Sequence, residues 1–161
     1  MQFRKFLVLV LVLCAGFFSC DAFDEDEDED ENGNAEYSSY DMQIFDLINS
    51  HRKEKGLGLL KWDDAIYQQC CGHSKAMADG STPFGHDGFS SRCDKIKPWT
   101  WAGENVAMNY STEPQTVVKQ WLDSPRHREN IEHSGATHSA VCAVQRAGGG
   151  WYYTQIFITR K

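Results

Sequence analysis

An acidic run at residues 24–31, DEDEDEDE, limits where this chain can fold. Eight like charges repel one another and bury no apolar surface, so residues 23–39 are predicted to be a disordered spacer. The alternative is a weak Ca²⁺ site or a contact to a cationic surface, but no glycine-containing twelve-residue loop organises these carboxylates. Folding is therefore assigned to residues 40–161, a length typical of one domain.

The charge of the whole chain does not describe the predicted domain. Nine of the 23 acidic residues lie between Asp21 and Glu31, whereas residues 37–161 contain 13 acidic and 14 basic residues. The formal charge of −7 therefore belongs mainly to the spacer. A nearly neutral domain lacks the basic surface that nucleic-acid binding requires, so nucleic acid is excluded as a partner.

The first 22 residues have the pattern of a secretory signal peptide. Arg4 and Lys5 precede a run of eight apolar residues, which is too short to span a bilayer. One processing route cleaves after Ala22 and releases a secreted chain. The other treats residues 17–20 as a loose bacterial lipobox, lipidates Cys20 and anchors the protein at the cell surface, although Phe17 stands where a strict lipobox prefers Leu.

Four cysteines remain in the predicted domain: Cys70, Cys71, Cys93 and Cys142. An even number in an exported chain predicts two disulfides. A bond between the adjacent Cys70 and Cys71 would be strained on a helix. One of these two is therefore expected to pair with Cys93 and the other with Cys142, and the choice stays open. Structural zinc is the rival explanation, but adjacent cysteines are not a usual ligand pair and no C-x-x-C spacing is present.

The order of the predicted elements indicates an α+β domain. Hydrophobic periodicity predicts helices at residues 41–55, 63–78 and from Pro114 to Ser124, where Ser124-Pro125 ends the last one. Glycines and prolines predict a long loop over residues 79–111. Residues 139–144 and 151–158 are rich in β-formers and flank three glycines, which predicts an antiparallel hairpin.

Four segments concentrate polar residues among glycines and aromatics: residues 84–89 (FGHDGF), 102–107 (AGENVA), 121–131 (WLDSPRHRENI) and 153–157 (YTQIF). In this order they resemble the CAP superfamily of cysteine-rich secretory, antigen-five and pathogenesis-related proteins, and most closely its short bacterial branch. The resemblance covers residues 40–159. It implies an α-β-α sandwich with a small, mainly antiparallel sheet and a cleft lined by His and Glu.

Carried over position by position, the cleft residues of the family fall on His86, Glu104 and His127. The second cleft glutamate of animal members has no counterpart, since Ser124 occupies its expected position with Asp123 beside it. The resemblance implies that His86 and His127 can bind Zn²⁺ or another divalent cation, with Glu104 as a candidate third ligand. No cofactor is otherwise required. Each residue also has a structural interpretation: His86 bonded across the loop, Glu104 bracing a turn and His127 anchoring one.

Other polar and aromatic residues receive local interpretations. Asn130 is expected to tie a loop to a strand. Asn109-Tyr110-Ser111 is an N-glycosylation sequon, which matters only in a eukaryotic secretory pathway. One set of histidines matches no cleft position and is interpreted as lying on the surface or bonded locally: His51, His73, His133 and His138. Four aromatic residues are candidates to line an apolar groove or to fill the core: Trp99, Trp101, Tyr110 and Tyr152.

These observations lead to a functional expectation. The chain is expected to be a secreted, non-enzymatic binding module for an extracellular protein, lipid or sterol. One alternative is a metal-dependent hydrolase that uses the same cleft. This is weakened because a metal-bound Glu104 cannot easily also act as the base, and no second glutamate is available. The other alternative is a structural surface lipoprotein module.

Overall fold

A computed structural model describes residues 38–160. The predicted signal peptide, the lipidation candidate Cys20 and residues 23–37 of the predicted spacer lie outside these residues. Five helices and four strands occur in the described part: α1 (Ser39–Glu54), β1 (Lys61–Trp62), α2 (Asp64–Asp79), α3 (Phe89–Asp94), β2 (Trp101–Asn109), α4 (Pro114–Asp123), α5 (Pro125–Ile131), β3 (His138–Gln145) and β4 (Trp151–Thr159). No helix within residues 38–160 has the length and apolar character needed to cross a bilayer.

The helices begin and end where local chemistry favours it. The side chain of Ser38 accepts a hydrogen bond from the Tyr40 amide at the start of α1. Asp63 does the same for the Ile66 amide at 3.0 Å and caps α2, which ends at Gly80 with φ 80°. Pro114 begins α4, where the missing amide hydrogen is no loss. The three predicted helices are confirmed, although α1 begins two residues earlier than expected.

The four strands form one mixed sheet in the order β1-β3-β4-β2. The short β1 pairs with β3 in parallel, while β3 with β4 and β4 with β2 are antiparallel. The predicted hairpin is therefore confirmed. Its turn uses Gly148, Gly149 and Gly150, all with positive φ, a conformation that glycine adopts without strain.

The predicted loop over residues 79–111 is wrong. It contains the short helix α3 and the nine-residue strand β2, which forms an edge of the sheet. Among the residues of β2, Val106 alone is β-branched, so local propensity gives little sign of a strand. Strand β2 is instead stabilised by pairing with β4. This pairing covers the whole length of β2, from Trp101 opposite Thr159 to Asn109 opposite Trp151.

Two hydrophobic cores lie on opposite faces of the sheet. On one face, Val141 and Phe157 pack among Ile48 of α1, Trp121 of α4 and Ile131 of α5. On the other face, the alternate strand residues pack against α2 and the segment after α3: Ala140, Cys142, Ile156 and Ile158. Side chains alternate between faces along a strand, so the arrangement is the expected α-β-α sandwich.

The predicted pair of disulfides requires a correction. Cys71 of α2 is bonded to Cys142 of β3, with their Cα atoms 5.0 Å apart. Cys70 and Cys93 are free and buried. Successive helical residues point about 100° apart, so Cys70 points in a different direction from Cys71. Its thiol donates to the Ala140 carbonyl at 3.3 Å instead of forming a second bond.

A buried carboxylate connects α1 to the sheet and to α2. Asp41 is 1% exposed and accepts hydrogen bonds from the Ala143 amide of β3 and the Tyr67 hydroxyl of α2, each at 2.9 Å. Burial raises the pKa of Asp41 to about 6, although both hydrogen bonds favour the ionised form. The Asp41 carboxylate is therefore ionised inside the domain at neutral pH, and the burial of its charge destabilises the folded state.

Asp41→Asn is expected to remove a pH dependence of stability. The pKa of Asp41 is higher in the folded state, so the stability contributed by the protonated form is complete below about pH 4 and is lost as the pH rises to about 6. Relative to the variant, the wild type should therefore lose up to about 3 kcal/mol of unfolding free energy between pH 4 and pH 7.

Urea unfolding at several pH values measures this difference. Asp46→Asn on the exposed side of α1 serves as the matched control and should leave the pH dependence unchanged. A constant difference between wild type and Asp41→Asn across this range would contradict the prediction.

Candidate functional site

Glu104 is placed at the centre of the candidate site by the edge strand β2. Its side chain is 1% exposed and points to the α2 side of the sheet, on the same face as its partner Ile156. Arg92 of α3 donates from Nη2 to Oε1 at 2.9 Å and to Oε2 at 2.6 Å, and from Nε to Oε2 at 3.0 Å. The carboxylate is therefore held by a buried, two-pronged ion pair.

His86 lies above this pair in the loop before α3. Its Nδ1 is 2.9 Å from Oε1 of Glu104. A carboxylate can only accept, so Nδ1 carries the proton and donates, which leaves Nε2 without one in the neutral ring. The His86 side chain is 52% exposed. The loop therefore presents an imidazole of defined tautomer, with Nε2 available as an acceptor.

His127 approaches from α5, on the other side of the edge strand. Its backbone carbonyl accepts a hydrogen bond from Asn105 Nδ2 at 3.0 Å, and its Nδ1 is buried with no hydrogen-bond partner. Burial lowers the pKa of His127, and the neighbouring His86 lowers it further. Both effects favour a neutral imidazole next to His86.

A close approach of backbone and side chain fixes α5 against β2. Asn130 Nδ2 donates to the Glu104 carbonyl at 3.2 Å and to Asn105 Oδ1 at 2.8 Å. A Cβ atom on Gly103 would lie 2.7 Å from Asn130 Oδ1, so only glycine leaves room for this contact. The expectation that Asn130 ties a loop to a strand is borne out, with α5 in place of the loop.

The candidate three-ligand metal site does not fit this geometry. Both oxygens of Glu104 are bonded to Arg92, and Oε1 is also bonded to His86. Residues 38–160 contain no group of three or more His, Cys, Asp or Glu side chains placed to hold a metal ion. A site made by His86 and His127 alone stays a prediction. It is compatible with the free Nε2 of His86 and the unpartnered Nδ1 of His127.

The residues near the missing second glutamate lie elsewhere. Asp123 forms an ion pair with Lys119 on the surface of α4, and its side chain is 64% exposed. Ser124 separates α4 from α5 as the N-cap residue of α5. Neither residue replaces the second glutamate of the animal cleft, as the sequence predicted.

Three of the remaining histidines are bonded locally, as expected. His51 contacts Glu132, His138 contacts Thr137, and His133 stacks on Trp101 with ring centroids 3.7 Å apart. His73 is also locally bonded, but it is 5% exposed and its Nε2 lies 2.8 Å from the Gly85 carbonyl. Through this contact, His73 supports the loop that carries His86.

The four aromatic candidates do not line a common groove. Trp99 packs against the core on the α2 side, and Trp101 packs against the core on the opposite face. Tyr152 lies near Phe84, and the ring of Tyr110 lies against Gly150 beyond the other end of β2. The interpretation of these residues as the wall of one groove is wrong, because the register of β2 separates them.

The sequon residue Asn109 is already engaged. Its Oδ1 accepts hydrogen bonds from the Ser111 amide at 3.0 Å and the Tyr153 hydroxyl at 3.2 Å. Its Nδ2 donates to Gln120 at 3.4 Å. Glycosylation at this position stays a prediction, and it would have to displace the contact to Gln120.

Two concave regions lie beside the helices, and one of them adjoins the His86 loop. One, of about 420 Å³, lies between α1 and α4, with Leu47, Val118 and Leu122 among its lining and charged residues at its rim. The other, of about 380 Å³, lies between α2 and α3 and includes His73, Asp87 and Arg92. The first has the size of a small-ligand pocket and an apolar interior.

The family model CAP, described as the cysteine-rich secretory protein family, matches residues 45–157. The chain belongs to the CAP family. A relative from Bacillus subtilis, described as "Uncharacterized membrane protein YlbC", is 37% identical over 124 residues. That match covers 73% of this chain but 34% of the relative, so the CAP chain spans about a third of that protein's length.

Solved structures agree with this membership. An extracellular protein containing an SCP domain from Bacillus anthracis is 31% identical with a TM-score of 0.66, and the match covers 75% of this chain and 40% of that one. An outer surface protein from Borrelia burgdorferi has the same TM-score at 21% identity, with coverage of 78% and 96%. The latter likeness shows the fold alone.

Sequence reasoning missed Arg92 and His73 in this CAP domain. A glutamate that is buried in a strand requires a cationic partner, so Glu104 itself predicts an ion pair with an Arg or a Lys. This requirement does not distinguish Arg92 from Lys95 three residues later. His73 gave no signal, because a histidine on an apolar helical stripe is compatible with many local bonds.

Removal of one partner from the ion pair is expected to destabilise the CAP domain. Arg92→Met leaves the Glu104 carboxylate buried and uncompensated, so we expect a loss of about 3–5 kcal/mol of unfolding free energy. The double variant Arg92→Met/Glu104→Met removes both charges and should lose less than Arg92→Met alone. Urea unfolding of the two single variants and the double variant measures this, and additive losses would contradict the coupling.

Proposed function

We propose that this chain is an extracellular binding domain whose histidine cleft holds a ligand and does not catalyse hydrolysis. The observation that carries the proposal is the state of Glu104. Its two oxygens accept three hydrogen bonds from Arg92, and Oε1 also accepts one from His86. A carboxylate engaged in this way is a poor metal ligand and a poor general base.

The hydrolase alternative lacks the groups that it needs. Metal-assisted hydrolysis requires an activated water and a base within reach of it. Glu104 is committed to Arg92, and Asp123 is paired with Lys119 on the surface. Within residues 38–160 there is no three-ligand group to hold the metal with an open position.

The two imidazoles define what the cleft can bind. With its Nδ1 proton donated to Glu104, His86 offers Nε2, and the partly buried His127 has an unpartnered Nδ1. Neutral imidazole nitrogens suit Zn²⁺ and similar divalent cations. When bound, such a cation would add a positive charge and open coordination positions that a partner's carboxylate or carbonyl oxygen can fill.

The groove between α1 and α4 supports an amphiphilic ligand as a second partner. Its apolar residues are Leu47, Val118 and Leu122, and its rim includes Lys119 and Glu54. An apolar floor with a charged rim fits an acyl chain that carries a polar head. None of the four aromatic candidates is among its lining residues.

The extracellular location is supported by three observations. The domain contains the Cys71–Cys142 disulfide, which persists in oxidising compartments. The first 22 residues have the pattern of a signal peptide. Two structural relatives are described as an extracellular protein and an outer surface protein.

Zn²⁺ is expected to bind wild-type protein of residues 23–161 with micromolar affinity at pH 7.5. The affinity should fall at pH 5.5, because protons compete for imidazole nitrogens, and should vanish in His86→Ala/His127→Ala. Calorimetric titration measures this, with His51→Ala/His138→Ala as a matched control that keeps the cleft. Absence of binding heat from the wild type, or binding unchanged in the cleft variant, would contradict the proposed metal site.

A fluorescent long-chain fatty acid is expected to bind the groove between α1 and α4. Leu47→Asp should weaken its affinity at least about tenfold, because the new carboxylate would lie against the acyl chain. Leu59→Asp, which replaces an exposed leucine outside the groove, should leave the affinity unchanged. Equal affinities for the two variants would contradict a lipid site in this groove.

A further inference from the structure

The loop that carries His86 has little packing of its own. None of residues 84–88 is buried, and Phe84 is 55% exposed. Gly85 and Gly88 have φ values of 151° and 77°, a backbone path that residues with a Cβ rarely adopt. The position of the loop therefore depends on hydrogen bonds supplied by its neighbours.

Two buried side chains supply those bonds on either side of His86. On the N-terminal side, His73 Nε2 lies 2.8 Å from the Gly85 carbonyl. On the C-terminal side, Arg92 Nη1 donates to the Asp87 carbonyl at 2.7 Å. The backbone carbonyls that flank His86 are thus each held by a donor from a helix.

The two donor side chains, Arg92 and His73, differ in their other interactions. Arg92 is fixed by its ion pair with Glu104 as well as by the loop. His73 is 5% exposed on α2, and burial lowers its pKa, which favours a neutral ring. A carbonyl can only accept, so the His73 ring carries its proton on Nε2 and donates it to Gly85.

Arg92 also forms the ion pair with Glu104, whereas no further role has been assigned to the His73 hydrogen bond. We propose that His73 is a positioning residue of the cleft: its single hydrogen bond to the Gly85 carbonyl holds His86 within hydrogen-bond distance of Glu104. This keeps the proton of His86 on Nδ1 and directs the unprotonated Nε2 to the ligand side. The inference deepens the proposed function, because it concerns the same cleft.

A matched pair of variants isolates this hydrogen bond. His73→Gln places an amide donor at a reach similar to that of imidazole Nε2, whereas His73→Phe fills the space without a donor. His73→Leu is a second variant without a donor, of smaller volume. His138→Gln, which replaces a histidine at the start of β3 that is bonded to Thr137, is the control for loss of a histidine elsewhere.

Long-range proton–nitrogen NMR spectra of the full chain at pH 7.5 report the tautomer of each histidine. Signals of His86 are assigned with His86→Gln. We expect an Nδ1-protonated His86 in the wild type, in His73→Gln and in His138→Gln. In the variants without a donor we expect the averaged nitrogen shifts of a free imidazole, with the thermal midpoint lowered by no more than a few degrees.

Several results would overturn the proposal. One is a His86 signature that persists in His73→Phe or His73→Leu, and another is its loss in His73→Gln. Unfolding of both variants without a donor would assign His73 to the stability of the fold and would also overturn a positioning role. The readout needs no ligand, so a failure of Zn²⁺ to bind would contradict the proposed metal site and leave this inference standing. If Zn²⁺ binds, its affinity should fall at least about tenfold in His73→Phe and stay near the wild-type value in His73→Gln.

Discussion

The buried ion pair between Arg92 and Glu104 is the interaction on which the site depends. It joins α3, which follows a loop without buried side chains, to the edge strand of the sheet. The Coulombic gain of such a pair is offset by the cost of removing both charges from water, whereas loss of one partner leaves the other charge buried and uncompensated. With Glu104 fixed, His86 has one place to donate its Nδ1 proton, and Arg92 holds the backbone just after it.

The same edge strand explains how the other half of the site is attached. An edge strand has backbone carbonyls with no neighbouring strand, and two of those of β2 accept hydrogen bonds from side chains. Asn130 of α5 donates to the Glu104 carbonyl, and Trp121 of α4 donates to the Val106 carbonyl at 3.3 Å. The strand is therefore closed to another chain along this stretch, and α5 is held where His127 can approach His86.

The sequence predicted the parts of this domain that are governed by local signals. Asp63 as a helix cap, Pro114 as a first helical residue and the glycine turn before Trp151 each have a local physical cause, and their elements were found. Strand β2 was missed because its order comes from pairing with β4, which no local pattern reveals. The ordered motifs pointed to His86, Glu104 and His127, and the structure bonds His86 to Glu104 and places His127 on α5. The partners of these residues did not follow from the motifs, because burial and distance between chain segments decide which cation meets Glu104.

The sheet separates the two histidines into different layers of the sandwich. His86 is bonded to Glu104 on the α2 face, whereas His127 belongs to α5, whose Ile131 packs in the core of the opposite face. A group bound by both imidazoles would span the edge of the sheet and join the outer helical layers directly. Its binding free energy would then stabilise the arrangement in which the two layers are in contact, because any motion that separates the layers at this edge would release the ligand.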